Sequence, residues 1–209
     1  MPLTLLAVLL AVFALTFFTT PEGKLNWLLE VGPGLVGIAF LAGFHRRFPM
    51  SRFVYVGVFV HVLVLVYGGY YTYAKAPLGE WMREAFHLHR NHYDRIGHFM
   101  FGFVPVFVIR EVFMRNKSLQ LKQSGWLNFI LVSVVLGLAA GYEFIEWWAA
   151  LLLDPEGGDK FLGSQGDIWD AQWDMLFAGI GATVGLLTLR RVHDRSMREV
   201  TSSQAPPPG

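Results

Sequence analysis

Three apolar segments each carry a pair of groups able to bind a cation or move a proton. They are Asp94 with His98, Glu143 with Glu146, and Asp170 with Asp174, with Asp167 just ahead of the last pair. Asp94 and His98 are four residues apart and share one helix face, His98 lying about 6 Å deeper. Asp167, Asp170 and Asp174 keep the i, i+3, i+7 spacing of a single face. Two carboxylates 4 Å apart at an effective dielectric near 20 repel by about 4 kcal/mol. If such groups meet in one pocket, they must retain protons, pair with Arg95 and His98, or bind a cation. Carboxylates with an imidazole suit Zn, Mn or Fe, and an all-oxygen set suits Mg or Ca. The candidate metal ligands are His98, Glu143, Asp170 and Asp174, and the candidate catalytic set adds Asp94. The cofactor is open, with a divalent metal as the candidate.

The elements that must position these residues are long apolar blocks. The chain has 209 residues, 54% of them hydrophobic and only 16% charged. Its mean hydropathy is +0.42. A helix needs about 20 mostly apolar residues to cross a bilayer. Six blocks qualify: 3–19, 25–44, 53–73, 95–113, 126–151 and 171–189. The expected fold is all-α, a polytopic bundle of about six transmembrane helices. It forms one domain over residues 1–195, followed by a short disordered cytoplasmic tail, 196–209. Block 3–19 reads as a retained first helix. A cleaved signal core is the other reading, against which no Lys or Arg precedes the block and no clear small-residue cleavage site follows it.

Basic residues set the expected orientation. With both termini cytoplasmic, the inner segments carry Arg46, Arg47 and Arg52, the four basic residues from Arg110 to Lys122, and Arg190, Arg191, Arg195 and Arg198. That is eleven of the 17 Lys and Arg. The outer connections then hold the acidic, Gly-rich loop 152–169 and a segment 77–92 whose Pro77 start and helical apolar spacing suggest an interfacial helix. In this frame His98, Glu143 and Asp174 fall at similar depth in the outer half. Membrane lipids are the expected partners. A net charge of +1 gives no sign of nucleic-acid binding. The absence of cysteine excludes disulfides, thiol nucleophiles and cysteine metal sites.

Each site residue also has a plainer reading. Asp94 and Asp170 fit helix starts, where a carboxylate can cap or meet the positive end of the dipole. Glu146 beside Trp147 suits interfacial water. His61, alone in the inner half of its block, fits a hydrogen-bonded core residue, and the run His87, His89, His92 a water-facing segment. Gly137 with Gly141, and Gly181 with Gly185, have the four-residue spacing that lets helix backbones approach.

The motifs Trp27-Leu28-Leu29-Glu30, Gly69-Tyr70-Tyr71-Thr72-Tyr73-Ala74, Arg90-Asn91-His92-Tyr93-Asp94-Arg95-Ile96-Gly97-His98-Phe99, Tyr142-Glu143-Phe144-Ile145-Glu146-Trp147-Trp148 and Gly163-Ser164-Gln165-Gly166-Asp167-Ile168-Trp169-Asp170-Ala171-Gln172-Trp173-Asp174-Met175 resemble the YjdF-type family of bacterial inner-membrane proteins. The resemblance covers nearly the whole chain and implies a multi-pass protein of the bacterial inner membrane. A wider likeness is to VanZ-like membrane proteins, through Asp94, His98 and Phe99, then Glu143 or Glu146, then Asp170, Asp174 and Gly181. Here Arg95 replaces that family's usual Lys, and no Asn follows Trp173-Asp174-Met175. That likeness implies an envelope role. Three functional readings stay open: a metal or polar site acting on a lipid-linked or envelope substrate, a non-catalytic lipid- or partner-binding module, and a proton-coupled transporter.

Overall fold

The structure is a computed structural model describing residues 2–116, 118–119, 121–153 and 164–203. The acids of the outer loop, Asp154, Glu156 and Asp159, and the last residues of the expected tail, 204–209, lie outside the described residues. Among the described residues there are nine α-helices, one short 3₁₀ turn and no strands. They are α1 (Leu3–Thr19), α2 (Lys24–Phe44), α3 (Arg52–Tyr71), α4 (Pro77–Ala85), α5 (Tyr93–Phe103), α6 (Pro105–Arg115), α7 (Gly125–Leu153), α8 (Asp170–Thr188) and α9 (Arg190–Ser203).

All six apolar blocks fall on helices. Four helical stretches are long and apolar enough to cross a membrane: α2, α3, α5 with α6, and α7. The bent pair α8 and α9 can supply a fifth. α1 has 17 residues, about 25 Å, the lower limit for a crossing. It packs inward through Leu9 and Phe13, and Phe13 and Phe17 meet the ring of Trp27 edge-on. Large apolar side chains such as Leu15, Val36, Phe129, Leu152 and Leu187 stay exposed, as expected of a surface that faces lipid.

One expected single element is broken, and a further helix follows the last block. Block 95–113 divides at Val104, because Pro105 has no N–H to continue the ladder and its ring crowds the preceding turn. The last block ends at Thr188, and the chain turns by 70° into α9. That helix runs on to Ser203, past the expected domain limit at residue 195.

The closest backbone approach joins α5 to α8. A methyl group added at Gly102 would fall on the carbonyl oxygen of Ala178, and one at Gly181 on the carbonyl oxygen of Phe99. At Gly185 it would sit 3.1 Å from the Phe103 carbonyl oxygen. The Gly181–Gly185 spacing is therefore a helix contact. The same spacing at Gly137 and Gly141 is not, since an added methyl meets nothing there within 4 Å. α7 instead buries Leu127, Leu131, Val135 and Ala139, one residue per turn, and the next step along that stripe is Glu143.

Connections tie the two ends separately. At one end Arg115 donates to the Pro49 carbonyl at 2.9 Å and Arg110 contacts Asp194 at 2.7 Å. At the other, Thr20 donates to the Tyr70 carbonyl at 3.2 Å and Lys75 pairs with Glu22 at 2.8 Å. The former is the basic end, and the latter carries the acids. Overfilling a packed contact costs on the order of 1–3 kcal/mol. Gly181→Ala is therefore expected to lower the thermal midpoint in detergent by several degrees, while Gly137→Ala leaves it unchanged. Parallel melting curves of the two variants check this.

Candidate functional site

The α5–α8 contact sets the first turns of both helices side by side, and α7 closes the third wall with Tyr142, Glu143 and Glu146. His98 is 6% exposed and Asp174 2%. His98 Nε2 lies 3.5 Å from Asp94 Oδ1, and its Nδ1 lies 3.9 Å from Glu143 Oε1. Asp94, His98 and Asp174 each offer a ligand atom within 4.8 Å of the other two. Among the described residues, His98 Nδ1, Glu143 Oε1 and Asp174 Oδ1 are buried with no hydrogen-bond partner. Buried polar atoms are nearly always satisfied. Three orphaned atoms facing one crevice mark a place for a ligand, an ion or water.

Arginines organise the outer rim. Arg90 Nη1 donates to Asp170 Oδ1 at 2.6 Å and to the Ser164 carbonyl at 2.7 Å. Arg95 Nη2 donates to Asp167 at 3.0 Å and to Asp170 at 3.4 Å, and its Nε lies 4.0 Å from Asp174. The Arg95 guanidinium lies 5.4 Å from the Trp173 ring centroid and 5.9 Å from that of Phe177. These contacts draw Arg95 outward and leave the inner side of Asp174 toward His98. Asp167 also accepts the Trp169 N–H at 3.0 Å. That bond, with Arg95 beside it, holds the Asp167 carboxyl below its usual range. Burial, with Arg95 and Arg90 alongside, pushes His92 below the ordinary imidazole value.

The expected site residues thus divide. Asp94, His98 and Asp174 come together, with Glu143 adjacent. Asp170 is engaged by Arg90 and Arg95 and is not part of the three-residue group. Neither helix start uses a side-chain cap: the N-cap positions of α5 and α8 are His92 and Trp169, and neither makes a capping bond. The run His87, His89, His92 contributes nothing to that group.

Sequence reasoning missed the depth of the site. Glu30, Thr72 and Tyr73 line a cavity of about 40 Å³ together with Asp94, His98 and Glu146, enough for one or two waters. Thr72 donates to Glu30 Oε1 at 2.5 Å, and Asn26 donates to the same oxygen at 3.0 Å. Thr72 sits at φ 58, a strained conformation for a β-branched residue, and it is held by its bond to Glu30, by Asn26, which donates to its hydroxyl at 3.3 Å, and by the Lys75 N–H on its carbonyl. A charge inside an apolar helix was the signal that would have found Glu30. Glu146 borders both this cavity and a wider acidic recess of about 400 Å³, which Glu143, Asp167 and Asp170 also line. Asn91 and Gln165 were missed as well. They exchange hydrogen bonds of 3.1 and 2.9 Å, clamping the start of α8 onto the start of α5.

Fold and site together define a polytopic α-helical membrane protein with a buried acid–imidazole centre at one end. Residues 1–195 match the family described as "Predicted membrane protein (DUF2238)", and the chain belongs to that family. It is similar to the inner membrane protein YjdF of Escherichia coli strain K12, at 42% identity over 175 residues, 84% of this chain and 82% of the relative. No solved structure matches it. The protein resides in the bacterial inner membrane, as the resemblance implied.

Removing one partner of a buried ion pair costs about 3–5 kcal/mol, because the other charge is left unpaired. Arg95→Met should therefore destabilise the protein by that order, and adding Asp170→Asn should recover part of the loss. A double-mutant cycle of thermal midpoints measures the coupling.

Proposed function

We propose that the acidic end binds one divalent cation between Asp94, His98 and Asp174, with Glu143 as an additional carboxylate. We place this end on the outer, envelope side of the inner membrane, because the basic clusters gather at the opposite end. The bound ion then serves a lipid-linked or headgroup substrate reaching the acidic recess. The observation that carries this reading is the proximity of His98 to Glu143 and Asp174, with His98 Nδ1, Glu143 Oε1 and Asp174 Oδ1 buried and unpartnered among the described residues.

Electrostatics supports it. Around the crevice, six carboxyl groups (Asp94, Glu143, Glu146, Asp167, Asp170, Asp174) face two guanidiniums, Arg90 and Arg95. The arginines are committed to the outer pair, Asp167 and Asp170. The inner carboxyls have only His98 and, 4.0 Å from Asp174, the Arg95 Nε as close basic neighbours among the described residues. A divalent ion neutralises them while satisfying the orphaned atoms. One imidazole with several carboxylates suits Mn, Fe or Zn. Such an ion would polarise a substrate oxygen, with Glu143 placed to accept a proton.

Proton-coupled transport draws support from the buried His61, whose Nε2 has no partner among the described residues, and from Glu111 and His193 buried at the basic end. The buried Val58, Val104 and Phe107 separate Glu111 and His193 from His61 and the acidic centre, which favours the cation reading.

After chelator dialysis, adding Mn²⁺ or Zn²⁺ is expected to raise the thermal midpoint. At a hundredfold excess over Kd the gain is about 2.7 kcal/mol. His98→Ala and Asp174→Asn abolish the rise. Glu143→Gln weakens affinity by about 10–100-fold, as loss of a supporting ligand does. Metal-free protein whose midpoint ignores every divalent ion overturns the reading.

A further inference from the structure

At the basic end, a groove of about 580 Å³ runs between α3, the α5–α6 break and α9. Its walls include Val56, Gly57, Val60 and Phe103, and its mouth carries Arg52 and Arg195. From Arg52 to Val60 it extends about 12 Å along α3, from the helix end into the apolar span. We propose that this groove binds one anionic phospholipid of the adjacent leaflet, an acyl chain lying along Val56 and Val60 and the phosphate between Arg52 and Arg195.

Burial and charge select this occupant. Val56 and Val60 are 45% and 46% exposed, on a helix apolar enough to cross the membrane, so the wall opens to lipid. Arg52 and Arg195 are exposed and form no ion pair among the described residues. Glu199 is the acid on the same rim. Asp194, the other acid of α9, is held by Arg110 at 2.7 Å and is withdrawn from Arg195. Arg190, Arg191 and Arg198 add further positive charge to α9. A zwitterionic headgroup gains little from such a rim, whereas an anionic one gains its full attraction.

The rim is also rigid. α9 leaves α8 at 70°, the attitude of a helix lying along the interface. Ser196 accepts the Phe53 N–H at 3.1 Å, one of the orphan donors at the start of α3. Beneath it, His193 Nε2 lies 3.0 Å from Glu111 Oε2, and its Nδ1 accepts from Arg110 at 2.9 Å. Glu111 Oε1 accepts the Ser51 N–H at 2.7 Å and pairs with Arg115. This buried network fixes α9 against α3 and α6, so the groove and the backbone positions that carry Arg52 and Arg195 are set before a lipid arrives.

The test uses the full chain in detergent, incubated with equal phosphatidylglycerol and phosphatidylcholine, washed, and extracted for mass spectrometry. Wild type is expected to retain phosphatidylglycerol in clear preference. The double variant Arg52→Gln/Arg195→Gln loses roughly thirtyfold in affinity for it, about fivefold per basic residue. Val60→Trp, which fills the groove, lowers retention with both arginines intact. If the double variant aggregates, wild type is titrated with salt, and phosphatidylglycerol should dissociate as the salt rises. Equal retention of the two lipids, retention unchanged in the folded double variant, or salt-independent retention overturns the proposal.

Discussion

The structure depends on one close contact, the crossing of α5 and α8 with Gly102 and Gly181 at the point where the backbones touch. No side chain larger than hydrogen fits at either position without moving a helix. In a bilayer, helix association relies on such packing rather than on hydrophobic exclusion from water. The consequence is chemical. Asp94, Arg95 and His98 rise from the first turns of one helix, and Asp170 and Asp174 from those of the other. Seating each glycine against the other helix's backbone sets these groups against each other at the acidic end.

The charges so gathered repel, and their distribution resolves the repulsion in two layers. In the outer layer, Arg90 and Arg95 neutralise Asp167 and Asp170 through bonds as short as 2.6 Å. Asn91 and Gln165 lock the same segments together through paired amide bonds. In the inner layer, Asp94, His98, Glu143 and Asp174 approach without forming a complete hydrogen-bond set. The outer layer is built like a structural ion-pair network and the inner one like a binding site. The basic end shows the contrast. There Arg110, Glu111 and His193 are also buried, yet His193 bonds both of the others and Gln123, Ser51 and Arg115 take up their remaining groups, as expected of groups whose task is to hold helices.

Much of the fold was legible in the sequence because hydrophobic length is a strong signal. Each of the six apolar blocks is helical, and the Pro77 start of α4 appears as expected. Breaks were less legible: Pro105 was visible, but hydropathy averages across it. The Gly-x-x-x-Gly pattern identified the contact at Gly181 and Gly185 and gave a false one at Gly137 and Gly141, since spacing says nothing of what lies opposite. For the site, helical arithmetic brought His98, Glu143 and Asp174 to one depth, with Asp94 one turn nearer the helix start on the His98 face. It could not place Asp170, because the decisive partner, Arg90, precedes its helix and reaches it through space. Glu30 and Thr72 were hidden for a similar reason: they join from α2 and the end of α3, and only tertiary packing makes them neighbours of His98.

The proposed cation site requires His98 and its neighbouring carboxylates to coordinate one ion in the crevice that the α5–α8 contact creates. Electron spin-echo spectroscopy of the Mn²⁺-loaded protein tests it most directly. The expected result is one bound Mn²⁺ per chain, with modulation from a single coordinated imidazole nitrogen that disappears in His98→Ala. A protein that binds no Mn²⁺, or imidazole modulation that survives in His98→Ala, would contradict the account.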